Sequence, residues 1–567
     1  LSGGASRPPL PFWWRALAVT GMLLLLGFVF VPLVCQASED AIILYQYSAN
    51  LATTGVISFI PHGPRAEGAT DFLWMMVLAA GRWLGLPSYG MAIVISAACV
   101  VALAAMLVRI AQLTGIARTG AAQRTGVAQQ TGAAHRRWSA WNLFAVIALV
   151  LLVPQTFAAD AGFSVFAFAL LLAWMAYAAY AEMYGQAVIA ALLLCLTRPD
   201  GVVFAVPLLA VYMFREEGLA AQRVRQTRWW KTRWWKALLG FVVPGLAYFA
   251  WRWHYFGHLL PLPFYVKSDT PRIAHVLVLH SAVGLAPPLL AACALVWIAL
   301  RREVFSPRNR AWLLTLLLPS SLFYLTLRLD QNYANRFFLY PLVIAAVLLA
   351  ANFEHYRERA GRVLLAGLGV WAVCLAYFWV NWMVIYTLDY PQPREVAVAR
   401  ELARLPVRGT MIVSESGAIP FYSQWAAYDP WGLNTPAFAL HLIQPDDVKQ
   451  LNPDLVIIHQ DTDPLPCAVA PGEALPHEQR SWRNMTQNVF GGIENARYSQ
   501  WLLPQFNKYY RSHPTRWNGQ HRFGVGDYQC WFVRNDSPES AAVAAILRRH
   551  GAITAAEYRE GQVSPDE

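Results

Sequence analysis

Charge is what this sequence has least of. Asp, Glu, Lys and Arg make up 14% of its 567 residues, against 57% hydrophobic ones. A soluble domain carries about a quarter charged residues, so the composition argues against an ordinary soluble fold. The 13 histidines are scattered, without the paired spacing of a zinc site. No Walker or dinucleotide glycine-rich loop occurs, which disfavours a nucleotide-linked substrate. No internal repeat is visible, although transporters often carry one. From 387 to 567 no uncharged run is long enough to span a bilayer.

What is there, up to residue 386, is a series of apolar runs of bilayer-spanning length. The net charge of +11 would suit nucleic acid, but the basic residues lie in short loops between those runs. Residues 109–137 carry five Lys/Arg, 215–236 seven, 301–310 four and 357–362 three, whereas 36–70 carries only Arg65. This is the positive-inside pattern of a membrane protein. Spans are expected at 16–35, about 88–108, 140–154, 161–181, 184–197, 201–214, 237–253, 280–300, 311–327, 337–353 and 363–386, with the four between 137 and 215 either all spanning or two spanning beside a re-entrant pair. The run after Arg15 has no small-residue cleavage site behind it and reads as a retained first helix. The stretch 71–87 reads as lying along the outer membrane surface. The expected fold is an all-α polytopic membrane domain of about 11 transmembrane helices (1–386), followed by a C-terminal exterior α/β domain (387–567). In that second domain 410–413 and 454–458 read as buried strands and Ser537–Arg549 as a helix. Cys467 and Cys530 both fall there, and an oxidising compartment would permit a disulfide between them. The basic, aromatic strip 227–236 and the Thr-Gly-rich segment 114–132 read as cytoplasmic interface and loop.

On this topology the unusual polar residues gather on the exterior face. Glu39 and Asp40 follow the first run, and Glu67, Thr70 and Asp71 end the same loop. Arg198-Pro199 breaks a long apolar stretch, 184–214. His254, His258, Tyr265 and Lys267 follow 253, and Arg328, Asp330 and Arg336 lie between 327 and 337. Carboxylates near cations, with aromatic residues and lipid close by, fit a substrate with an apolar tail and an anionic head. A carboxylate would then be placed to deprotonate an incoming hydroxyl.

Several blocks carry a family resemblance: Ser38-Glu39-Asp40-Ala41; Glu67-Gly68-Ala69-Thr70-Asp71-Phe72-Leu73-Trp74; Leu196-Thr197-Arg198-Pro199-Asp200-Gly201; Tyr255-Phe256-Gly257-His258-Leu259-Leu260-Pro261 with Tyr265-Val266-Lys267; Asn335-Arg336-Phe337-Phe338; Gly417-Ala418-Ile419-Pro420-Phe421-Tyr422-Ser423; and Asp429-Pro430-Trp431-Gly432-Leu433. Together, in this order, they resemble the GT-C membrane glycosyltransferases that take sugars from polyprenyl phosphates, and within them the arabinofuranosyltransferases of the AftB type. The chain departs from the family pattern in its Glu-Asp acidic pair, in Asp71 and in Leu262.

The resemblance implies a bacterial inner-membrane enzyme with its N-terminus cytoplasmic and its C-terminal domain exterior. It would move a sugar from a polyprenyl-phosphate donor to a cell-envelope glycan. Asp40 would be the base, and Glu39 would raise its pKa or hold the acceptor. Arg198, Lys267 and Arg336 would bind the donor phosphate, with Glu67 and Tyr265 at the sugar. His258, Tyr422, Asp429 and Trp431 would touch the acceptor. Each has a plainer alternative: Asp40 as an N-cap, Glu67 as a cap of the 71–87 helix, Arg198 and Arg336 as interfacial anchors, and 417–422 as a buried strand and turn. No cofactor is obligatory, though Glu39/Asp40 could hold a divalent cation. A protein acceptor such as a pilin, another lipid-linked sugar, or a transporter are the competing readings. The expected partners are the lipid-linked donor, the acceptor and membrane lipid, with no nucleic acid.

Overall fold

The computed structural model describes residues 37–124, 162–213, 235–268, 394–460, 481–504 and 528–559, short pieces between 320 and 351, and residue 373. The chain divides into two compact units, one of 1–34, 92–246 and 277–382, the other of 35–91, 247–276 and 383–567. The second joins the C-terminal residues with two earlier segments.

The helices before residue 270 are α1 (Glu39–Thr54), α2 (Phe72–Trp83), α3 (Ser88–Arg124), α4 (Val165–Tyr180), α5 (Tyr184–Thr197), α6 (Val202–Met213), α7 (Val243–Phe256) and α8 (Leu262–Ser268). The expectation of about eleven spans is corrected here. Among the described residues one helix, Ser88–Ala111, is long and apolar enough to cross a membrane. The reason is length. Helices of 16 and 14 residues (α4 and α5) extend roughly 24 and 21 Å, short of a hydrocarbon core of about 30 Å. The expected spans 16–35, 140–154, 280–300 and, almost entirely, 311–327 and 363–386 lie outside the described residues.

In the first unit α4 is buried along Phe166, Phe168, Leu172, Ala173, Met175 and Ala176. The long apolar stretch 184–214 breaks at Arg198, whose extended backbone (φ −151°, ψ 139°) is the conformation a following proline enforces. Residues Pro199–Gly201 form a single 3₁₀ turn before α6 begins. A Cβ at Gly201 would stand 2.7 Å from the Leu194 carbonyl oxygen, so this tight return needs glycine.

In the second unit α1 ends at Gly55, in the left-handed region at φ +72°, with its N–H on the Leu51 carbonyl, a glycine C-terminal stop. Polar side chains on α1 tie down the loop that follows. Gln46 Nε2 donates to Phe59 O at 3.1 Å, and Asn50 Nδ2 donates to Ser58 O and Phe59 O at 2.9 and 2.8 Å. Ser48 Oγ donates to Met75 O on α2 at 3.2 Å.

The C-terminal part of this unit contains α9 (Arg394–Leu402), β1 (Thr410–Val413), α10 (Ala418–Ser423), β2 (Ala426–Tyr428), α11 (Pro436–Leu440), α12 (Pro445–Leu451), β3 (Leu455–Gln460), α13 (Trp482–Gly492), β4 (Tyr498–Pro504), β5 (Tyr528–Arg534), α14 (Ser540–Arg549), β6 (Ile553–Thr554) and α15 (Ala555–Arg559). The six strands form one mixed sheet in the order β2-β1-β3-β5-β4-β6. β2, β1 and β3 are parallel, and β5, β4 and β6 continue antiparallel from β3. Leu455–Ile458 and Cys530–Val533 are buried without alternation, the signature of strands covered on both faces. One face carries Ile412, Val456, Ile458, Leu502 and Phe532 against Phe438, Ile443, Val448, Met485 and Val489. Cys530, on β5, is disulfide-bonded; Cys467 lies outside the described residues.

Segment 417–422 is not a strand and turn but opens helix α10. Pro420 falls in its first turn, where a missing N–H removes no intrahelical bond.

Candidate functional site

Glu39 and Asp40 open α1 behind the N-cap Ser38. Asp40 is thus not the cap, and both carboxylates sit where the helix dipole favours negative charge. Glu39 does something specific. Its Oε1 accepts from Gly417 N at 2.6 Å and from Ala418 N at 2.9 Å, and its Oε2 accepts from Ala418 N at 2.9 Å. The carboxyl therefore closes the start of α10, more than 370 residues away in sequence. Gly417 is required for this approach: a Cβ there would stand 2.3 Å from the Glu39 carbonyl oxygen. Burial, then the charge of Glu415, push the Glu39 carboxyl up to about 8, against the two backbone donors and with a small further push from Asp40. Any divalent cation at this pair would have to share the Glu39 carboxylate with those N–H groups. Among the described residues no group of three or more His, Cys, Asp or Glu is arranged to hold a metal ion.

Glu67 does not cap α2, whose N-cap is Asp71. Instead it meets Arg252 of α7, with Arg252 Nε 2.7 Å from Glu67 Oε1 and side chains 5% and 10% exposed. Arg252 Nη1 also donates to Leu259 O at 2.8 Å, and Leu262 N donates to Glu67 O at 3.2 Å. Burial raises the Glu67 carboxyl, and Arg252 opposes that rise. The next residue, Gly68, donates its N–H to Tyr47 Oη at 3.0 Å, and Tyr47 Oη in turn donates to Asn434 Oδ1 at 3.2 Å. A Cβ at Gly68 would meet Asn434 Oδ1 at 2.2 Å and Leu433 O at 2.5 Å.

Asp429 is buried inside its own loop. Oδ1 accepts from Trp431 N, and Oδ2 accepts from Asn434 N and Asn434 Nδ2, at 2.9, 2.9 and 3.2 Å. Burial raises its carboxyl to about 6 despite these donors. Trp431 lies with its ring 5.9 Å from that of the exposed Trp482. Tyr422, half-buried on α10, has the Arg400 guanidinium 4.8 Å over its ring. His258 and Tyr265 face edge to plane at 6.4 Å, and Tyr265 Oη accepts from Leu260 N at 3.2 Å. Lys267, at the end of α8, is exposed.

Arg198 and Arg336 belong to the first unit. Arg198 grips Asp200 with two bonds of 3.0 and 3.2 Å, and Asp200 Oδ2 accepts from Tyr324 Oη at 2.7 Å. The Arg198 guanidinium also lies 4.9 Å over Phe337. Arg336 is buried with its guanidinium 3.9 Å over Phe163 and 5.1 Å from Phe337.

Sequence reasoning missed Arg252, although an arginine within an apolar run is itself a signal that a buried acidic partner exists. It also missed Tyr47, Asn434 and the group around Gln529. There Gln529 Nε2 donates to Glu395 Oε2 at 2.7 Å and to Glu415 Oε2 at 2.5 Å, and Trp531 Nε1 donates to Gln529 Oε1 at 3.1 Å. No local spacing could have shown the bonds from Gln529 to Glu395 and Glu415, which join residues more than a hundred positions apart.

In class, the C-terminal part is a mixed α/β domain built on one six-stranded sheet. Residues 386–523, which include β1 to β4, match a family model described as a domain of unknown function, DUF8728. No curated protein matches the chain.

Proposed function

We propose that this chain is a membrane glycosyltransferase that moves a sugar, with arabinofuranose the first candidate, from a polyprenyl phosphate to a cell-envelope glycan on the non-cytoplasmic side. One observation carries the reading. Blocks that resemble the glycosyltransferase family in sequence (38–41, 67–74, 255–267, 417–423 and 429–433) fold into a single unit, joined through Glu39 to Gly417 and Ala418, Glu67 to Arg252 and Leu262, and Gly68 through Tyr47 to Asn434.

In this reading Glu39 fixes the start of α1, and Asp40, the next residue, is the base. The acceptor hydroxyl gives its proton to the Asp40 carboxylate. Its oxygen bonds to the anomeric carbon while the bond from that carbon to the phosphate oxygen breaks, and polyprenyl phosphate leaves with the electron pair. Lys267 binds the phosphate as a point charge. Glu67 and Tyr265 hold the sugar. Tyr422, Trp431 and His258 offer aromatic faces and edges to the acceptor, and Asp429 shapes the loop that carries Trp431.

The test is mass spectrometry of products made by the purified full chain from synthetic polyprenyl-phosphate sugars. Wild type should transfer, and Asp40→Asn should not while remaining folded. Turnover by the Asn variant would remove Asp40 from its role, and an inert wild type with every lipid-phosphate sugar would overturn the activity.

A further inference from the structure

The buried pair Glu67–Arg252 is incomplete. A guanidinium and a carboxylate in this orientation usually make two parallel bonds, but here only Nε to Oε1 is made, at 2.7 Å. Glu67 Oε2 and Arg252 Nη2 are shielded from solvent and have no hydrogen-bond partner among the described residues. Idle buried polar groups are strongly unfavourable, and those that persist in a native structure call for an explanation.

Anchors on both sides hold the pair in this form. Arg252 Nη1 is bound to Leu259 O, the Glu67 carbonyl accepts from Leu262 N, and Gly68 N is bound to Tyr47 Oη. Gly68 is pressed against Asn434 and Leu433 with no room for a Cβ, which restrains the backbone next to Glu67.

We infer that Glu67 Oε2 and Arg252 Nη2 form a subsite for one hydroxyl of the transferred sugar; this rests on the function proposed above. A hydroxyl is the small group that satisfies both atoms, donating its hydrogen to Glu67 Oε2 and accepting at its oxygen from Arg252 Nη2. Glu67 would repel a phosphate, Arg252 would repel an ammonium, and an apolar group would satisfy neither. The pair is therefore matched to the sugar and not to the lipid phosphate. Arg252 becomes a sugar-binding residue alongside Glu67.

The experiment titrates the full chain in detergent with farnesyl-phosphate-linked arabinofuranose, its 2-, 3- and 5-deoxy analogues, and farnesyl phosphate alone, following tryptophan fluorescence. In wild type one deoxy analogue should bind at least about 10-fold more weakly than the parent, the loss of a hydrogen bond to charged groups. In Glu67→Gln and Arg252→Lys that penalty should shrink to about 2-fold or less, while farnesyl phosphate binds all three proteins alike. If either variant fails to fold by circular dichroism, the wild-type deoxy series decides alone. Equal binding of all the sugars to wild type, binding of none, or a penalty unchanged in folded variants would overturn the subsite and leave solvent as the occupant. A deoxy penalty without sugar transfer would sink the proposed reaction and keep the subsite. Transfer without any deoxy penalty would do the reverse.

Discussion

Arg252→Met is the most informative perturbation for stability. In wild type Arg252 faces Glu67 at 2.7 Å with both side chains at most 10% exposed. Removing one partner of such a pair leaves an uncompensated buried charge and costs about 3–5 kcal/mol. Part of that is the bond from Arg252 Nη1 to Leu259 O, about 1.5–3 kcal/mol for a charged donor. The remainder belongs to Glu67 and must depend on pH. Burial already raises the Glu67 carboxyl above its ordinary 4.5, and Arg252 is what restrains it. Without Arg252 the folded-state pKa climbs further. Folding then retains a proton that the unfolded chain releases above about 4.5, so stability is intact below that pH and lost as pH rises, by at most about 1.4 kcal/mol per unit. Unfolding of the full chain in detergent, followed by circular dichroism at pH 5 and pH 8, should therefore show a larger deficit at pH 8. Arg252→Met combined with Glu67→Met should recover most of it, since apolar replacement of a buried pair is often neutral. A deficit equal at both pH values, or below about 1 kcal/mol, would refute this account of the pair.

Three further outcomes are expected. Wild-type stability should fall as pH rises between about 4.5 and about 8, because Glu39 is protonated in the folded state up to about 8; the Glu39→Gln variant should lose that part of the slope in a pH series of unfolding midpoints. Gly68→Ala would place a Cβ 2.2 Å from Asn434 Oδ1 and 2.6 Å from Tyr47 Oη and should destabilise by about 1–3 kcal/mol, whereas Gly185→Ala, with nothing within 4 Å, should be neutral in the same melt. Deleting residues 524–567 removes β5, which lies between β3 and β4, so limited proteolysis should degrade 394–504 in the shortened chain and spare it in the full one.

The parts of the fold legible in sequence were those written in local runs. The short apolar runs at 411–413 and 455–458 mark buried strands, and β1 and β3 lie there. Arg198-Pro199 marks a break because proline restricts the residue before it. Spans were misjudged because hydropathy records that a run is apolar and not that it crosses a bilayer: α4 and α5 fall in runs read as spans but are helices of 16 and 14 residues. The grouping of segments into units was not legible either. Segments 35–91 and 247–276 cluster with the C-terminal sheet region through contacts such as Glu39 with Gly417, and nothing local in either segment names its partner.

The acidic residues show why motif membership does not assign a role. Glu39, Glu67 and Asp429 each fall in a block that resembles the same family, yet their surroundings differ in kind. Glu39 and Asp429 are surrounded by backbone N–H donors that their own oxygens accept, an arrangement that fixes chain geometry and commits the carboxylate to it. Glu67 is met by one side-chain donor and keeps an oxygen without a partner among the described residues, an arrangement that leaves bonding capacity for a ligand. Asp40 follows Glu39 at one helical step, so its side chain leaves α1 about 100° further around the axis. The geometry that sends Glu39 into Gly417 and Ala418 thus sends Asp40 elsewhere. Under the proposed function adjacent acids divide the work, Glu39 holding the backbone and Asp40 acting as base, so Glu39→Gln should alter the pH dependence of stability and Asp40→Asn the rate of transfer.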